Sequence, residues 1–173
     1  MKTRFLLTLA IVTCLVSTAT AQTKASGTLQ CAKPDPMHMV EVGDKPGHGF
    51  VVSKLTCTWS KPMDIGGAQS KEGASTEAAE MTGNKSTGNG VHWGTVASGD
   101  KYFVKYSGSG SYKDGALVSG GGTWKYTGGT GALKGLTGKG TYKVTGAADG
   151  TSTAEIEGDW SLPAPKTKEA KKK

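Results

Sequence analysis

The stretch Thr151-Ser152-Thr153-Ala154-Glu155-Ile156-Glu157-Gly158-Asp159-Trp160-Ser161-Leu162 decides the fold. Its even-numbered residues (Ser152, Ala154, Ile156, Gly158, Trp160 and Leu162) are mostly small or apolar, and its odd-numbered residues are all polar or acidic. Side chains along an extended strand alternate between two faces, whereas a helix would repeat near 3.6. The segment therefore reads as a half-buried β-strand.

The same parity extends outward from it. In Lys101 to Tyr112, Tyr102, Val104, Tyr106 and Tyr112 share a face with Gly108 and Gly110, and only Phe103 breaks the rule. From Leu136 to Val144 the inward set is Leu136, Gly138, Gly140, Tyr142 and Val144; from Val51 to Trp59 it is Val51, Leu55, Cys57 and Trp59. Trp124 and Tyr126 continue the pattern after Gly120 and Gly122, and Val91, Trp93, Thr95 and Ala97 suggest a further strand. Glycine supplies 27 of 173 residues, with no collagen-like period. That is about twice its usual share, and it disfavours long helices.

Between these segments lie Asn89-Gly90, Ser98-Gly99-Asp100, Asp114-Gly115, Gly128-Gly129-Thr130-Gly131 and Asp149-Gly150. Gly and Asn supply the positive φ of tight hairpin turns, and short connections join antiparallel neighbours. The sequence thus predicts an all-β fold of about eight strands, an antiparallel meander closed as a small barrel, with a β-sandwich as the alternative. The barrel is preferred because inward glycines beside large rings let strands bend and leave room for rings from across the lumen. Lys33 to Gly49 and Lys61 to Gly73 have no period and are predicted to be long loops.

At the N-terminus, Lys2 and Arg4 precede an apolar run from Phe5 to Val16, followed by small residues at Ala19 and Ala21. This is the order of a secretory signal over 1–21, cleaved before Gln22. The run is shorter than the roughly 20 apolar residues of a membrane anchor, so no stable membrane insertion is expected after cleavage. Lipidation of Cys14 is the lesser reading, since Thr13 is large for the preceding position. Cys31 and Cys57 remain in the mature chain, and in an exported protein they are most simply one disulfide, with two free thiols as the other reading. The expected location is secreted or periplasmic.

The mature chain is one domain by length, 22–163, followed by a lysine-rich tail, 164–173, expected to be disordered. Of the formal net charge of +7, two positives belong to the signal and five lysines to the tail; between Gln22 and Pro163 there are 14 basic and 13 acidic residues. A nearly neutral surface has no electrostatic footprint for nucleic acid.

The segment Gly121-Gly122-Thr123-Trp124-Lys125-Tyr126-Thr127-Gly128-Gly129-Thr130-Gly131-Ala132-Leu133-Lys134-Gly135-Leu136-Thr137-Gly138-Lys139-Gly140-Thr141-Tyr142 resembles the glycine-rich hairpin of the allene oxide cyclase and dirigent-like barrels. It is also similar to uncharacterised exported bacterial proteins with this hairpin and a terminal strand like Thr151 to Pro163. The resemblance implies an eight-stranded antiparallel barrel whose lumen holds apolar small molecules. It carries over no catalytic residue.

Phosphate loops are excluded: Gly129, Gly131 and Gly135 are spaced one residue too long for the dinucleotide fingerprint, and Leu133 and Gly140 break the other motif. His38 and His48, near Asp35, Glu41 and Asp44, have the chemistry for zinc or copper but no stiff spacing, so no metal and no cofactor is expected. Neither a nucleophile elbow nor a Ser-His-Asp set is recognisable. Glu155, Glu157 and Asp159 alternate on a solvated strand face rather than pairing for glycoside chemistry. Asn84-Lys85-Ser86 matches a glycosylation acceptor that matters only in a host that glycosylates exported chains; the signal and tail suggest a bacterium, so it is discounted.

What remains is the aromatic set Trp59, Trp93, Tyr102, Tyr106, Trp124, Tyr126, Tyr142 and Trp160, read as the candidate lumen lining for a small apolar or aromatic ligand. The competing reading is that these rings fill the barrel. His92 and Trp93 are neighbours on one strand, so only one of them faces the lumen. Three functions stay open: a lumen binder or stable envelope component, a cofactor-free enzyme of the allene oxide cyclase or dirigent kind, and a surface adhesin using the lysine tail.

Overall fold

The computed structural model describes residues 22–164. The strands are β1 (Thr23–Cys31), β2 (Met37–Glu41), β3 (His48–Lys61), β4 (Asp64–Ile65), β5 (Ala68–Thr82), β6 (Lys85–Val96), β7 (Lys101–Lys113), β8 (Ala116–Gly129), β9 (Thr137–Gly146) and β10 (Ser152–Ser161). A 3-10 turn at Gly131–Leu133 is the only helical segment among the described residues. The predicted signal and nearly all of the predicted tail lie outside the described residues.

Strands β5 to β10 follow one another as an antiparallel meander; β10 then pairs with β1, β1 with β3, and β3 with β5. This closes an eight-stranded barrel, as the alternation predicts. Strand β10 keeps the parity read from its sequence: Ile156 pairs with Tyr142, and Gly158 with Gly140 and Ala25, all on the inner side. Cys31 and Cys57 stand opposite each other where β1 meets β3, and they form a disulfide.

The two supposed loops are corrected in part. Lys33 to Gly49 contains β2, which pairs with the first part of β3 beyond the end of β1, and Lys61 to Gly73 contains β4 and the start of β5. Neither strand is amphipathic. All of β2 is exposed and β4 has only two residues, so burial leaves no period to read.

The barrel's two ends differ. Met63, Ile65, Val96, Leu133 and Leu136 come from the connections and strand termini at one end, each at most 2% exposed, and seal it over Tyr102. The connection over this end is tied by Asp100, which accepts from the Ala132 amide (3.1 Å) and the Thr130 hydroxyl (3.4 Å). The chain enters β1 and leaves β10 at this sealed end, where Thr23 pairs with Trp160. The opposite end, reached through tight hairpins such as Asp114-Gly115, is lined by small residues including Ala79, Ser86, Gly88 and Gly110, and forms a mouth.

Candidate functional site

The arrangement of the lumen follows from one register rule: an inward aromatic on one strand is paired with a glycine on the next. Tyr102 pairs with Gly94 and Tyr106 with Gly90. Trp124 pairs with Gly140, which pairs with Gly158. A Cβ at Gly94 or Gly90 would fall within the Tyr102 or Tyr106 phenol, and one at Gly140 or Gly158 would meet the Trp124 indole. The rings therefore lie along the wall, over backbone with no side chain. Trp124 is held there by its indole N–H, which donates to the Thr141 and Glu157 carbonyls at 3.1 and 3.2 Å.

A cavity of about 200 Å³ stays open inside. Trp59, Tyr102, Tyr106, Trp124, Tyr126 and Tyr142 of the predicted lining all border it, and Trp160 packs against the sealed end. Edge-to-face contacts fix the rings: Tyr106 on Tyr142 and Tyr102 on Tyr126 (centroids 6.0 Å apart), and Trp124 on Tyr126 (4.9 Å).

Trp93 is the exception in the predicted lining. It points outward, 42% exposed, paired with Phe103 and with the Lys101 ammonium 5.1 Å from its ring. His92 takes the inward position instead. The glycines of β6 carried the signal, because Gly88, Gly90 and Gly94 share the parity of His92, as Gly108 and Gly110 share that of Tyr106 on β7.

Sequence reasoning missed the polar wall. Strand β5 presents Ser75 and Glu77 to the lumen, but its sequence Ala74-Ser75-Thr76-Glu77-Ala78-Ala79-Glu80 is small, polar and unpatterned. Reading back from the Gly83-Asn84 turn would have placed Glu77 opposite Gly90 and on the face of His92.

Both carboxylate oxygens of Glu77 accept hydrogen bonds, from the Ser53 hydroxyl and the Tyr106 phenol, each at 3.2 Å. Burial and the neighbouring Glu77 charge push the Tyr106 phenol well above its usual range, so it remains a donor. Burial raises Tyr126 likewise, and Tyr142 to about 12. The Ser75 hydroxyl lies 2.9 Å from His92 Nδ1, while His92 Nε2 is buried without a protein partner. Burial pushes His92 down to about 4, so the imidazole is neutral at pH 7. The Tyr126 hydroxyl is also buried and unpartnered. Glu77 is the only charged side chain bordering the cavity among the described residues.

The other candidates fall outside the lumen. His48 is clamped between Asp44 and Glu80, and His38 lies on exposed β2. Among the described residues no cluster of His, Cys, Asp or Glu has the arrangement to hold a metal. Glu155 and Glu157 are exposed on the outer face, where Lys24, Lys105, Lys125, Lys139 and Asp159 border a shallow hollow open to solvent.

No family model matches the chain, and no curated protein matches it. Among solved structures it is similar to a pyocyanin demethylase, at 17% identity and a TM-score of 0.41, over 77% of this chain and 98% of that one. It is also similar to a protein of unknown function from the DUF3224 family of Shewanella oneidensis MR-1, at 17% identity and a TM-score of 0.49, over 83% and 100% of the two chains.

Proposed function

We propose that this is an exported barrel that takes a small, flat, largely apolar molecule into its lumen through the mouth. The observation that carries the reading is the ring-on-glycine wall, which keeps about 200 Å³ open where packed aromatics would have filled it. An apolar cavity of roughly 150 Å³ accepts benzene, so the volume suits one substituted ring. Export is supported by the disulfide, which persists in oxidising compartments. The outer lysines Lys105, Lys125 and Lys139, paired in register across three strands, support a barrel facing water rather than lipid.

The test is native mass spectrometry of the mature protein from its own host, with tryptophan fluorescence titrated against small apolar molecules. Trp59 and Trp124 border the cavity, so binding there changes their emission. A co-purifying mass or saturable quenching is the expected result; neither would leave a structural or surface role.

A second reading, a cofactor-free enzyme of the allene oxide cyclase or dirigent kind, is favoured by the inward Glu77 and His92, since such chemistry requires an ionisable group in the lumen. Turnover of a bound compound, lost in Glu77→Gln with binding retained, separates it from a binder.

A further inference from the structure

The lumen has one sign of charge. Glu77 faces it with both oxygens held by neutral donors, Ser53 and Tyr106, and with no cationic side chain among the residues bordering the cavity. Glu77 is half-buried, and a carboxylate partly withdrawn from water gains from an opposite charge beside it, because desolvating an unpaired charge is costly. The nearest histidine supplies no countercharge: His92 is 8% exposed and is kept neutral by burial. Beside aliphatic residues, the wall carries the rings of Trp59, Tyr102, Tyr106, Trp124, Tyr126 and Tyr142, and the faces of Tyr and Trp rings carry the negative side of their quadrupole.

We infer that the lumen selects a cation, an amine or alkylated ammonium on a single-ring apolar body, with Glu77 as its counter-ion and Tyr106, Tyr142 and Trp124 as the surrounding rings. Cation–π attraction to several faces and a charge-assisted contact act together in such a site. The same field disfavours carboxylate ligands of equal size. This inference rests on the lumen being a binding site, and the test separates the two claims.

Three probes of similar size serve: phenyltrimethylammonium, its neutral isostere tert-butylbenzene, and the anion phenylacetate, each titrated by tryptophan fluorescence into the wild type and Glu77→Gln. The expected result is wild-type affinity for the cation roughly tenfold or more above that for the neutral isostere, with phenylacetate weakest. In Glu77→Gln that preference should shrink toward parity while tert-butylbenzene binding is kept. Equal or tighter binding of tert-butylbenzene by the wild type would overturn the charge selectivity and leave the lumen reading standing. Binding of none of the three would remove both. A cation preference that survives in Glu77→Gln would remove Glu77 as its source. If Glu77→Gln does not give a folded circular dichroism spectrum, the wild-type order of the three probes decides.

Discussion

The sealed end and the mouth of this barrel share the same eight strands but are built from different material. At the sealed end, aliphatic side chains from the connections interlock until Ile65, Leu133 and Leu136 are at most 1% exposed. At the mouth, small residues such as Ala79, Ser86, Gly88 and Gly110 alternate with a few larger ones, Tyr112 and Leu117, and the wall is braced covalently, where Cys31 joins Cys57. One end gains stability from buried area; the other keeps its volume free and is held by a cross-link. Stability and access are thus separated along the barrel axis.

The largest effect that would break this contrast is loss of the mouth's brace. The disulfide spans 26 residues of chain, so a Cys31→Ala, Cys57→Ala double variant should lose roughly 3–4 kcal/mol in urea unfolding. A loss below ~1 kcal/mol would mean that the mouth does not depend on its cross-link. Next, Leu133→Ala at the sealed end should cost about 3 kcal/mol, whereas Leu117→Ala, half-buried at the mouth, should cost less than about 1 kcal/mol. Equal costs would erase the distinction between the ends.

Between the two ends, His92 provides a pH test. Its folded value of about 4 lies below the ordinary 6.5, so its contribution is complete above about pH 6.5 and lost as the pH falls toward 4. The loss should approach roughly 3 kcal/mol and should vanish in His92→Gln. His48 has the opposite sign. Its hydrogen bonds to Asp44 and Glu80 raise its value, so its contribution is present below about pH 6.5 and fades as the pH rises through the raised value. Denaturant titrations of His48→Gln and His92→Gln at several pH values resolve the two. The smallest effect expected is that of Tyr126→Phe, which removes a buried hydroxyl without a partner and should change stability by less than about 1 kcal/mol, toward greater stability.

Strands with one apolar and one polar face were legible in the sequence: β7 and β9 follow the predicted parity throughout, and β10 follows it to Gly158, after which Asp159 and Ser161 on the predicted solvated face are also partly buried. Strands β2 and β5 were not. Burial leaves a period only where one face meets a core, and β2 has no buried face while β5 presents serine and glutamate to a cavity. The same cause hid the site. A lumen wall that carries polar groups weakens the hydrophobic alternation that reveals strands, so the rings of the wall were readable but Ser75 and Glu77 were not. On β6 the residue type misled, since tryptophan seemed the natural inward residue, whereas the glycine parity pointed to His92. The disulfide was legible because Cys31 and Cys57 are the two cysteines left after the predicted signal, which leaves few alternatives.

The side-by-side placement of Thr23 and Trp160 has a practical consequence. Because the chain enters β1 and leaves β10 at the sealed base, a fusion partner, affinity handle or solid support joined directly before Thr23 or after Ser161 sits behind the barrel, with the mouth facing away from it. Coupling before β1 or after β10 therefore presents the mouth to solvent, and a short peptide joining the ends of β1 and β10 would leave the Asp114-Gly115 hairpin at the rim free to become the new chain ends.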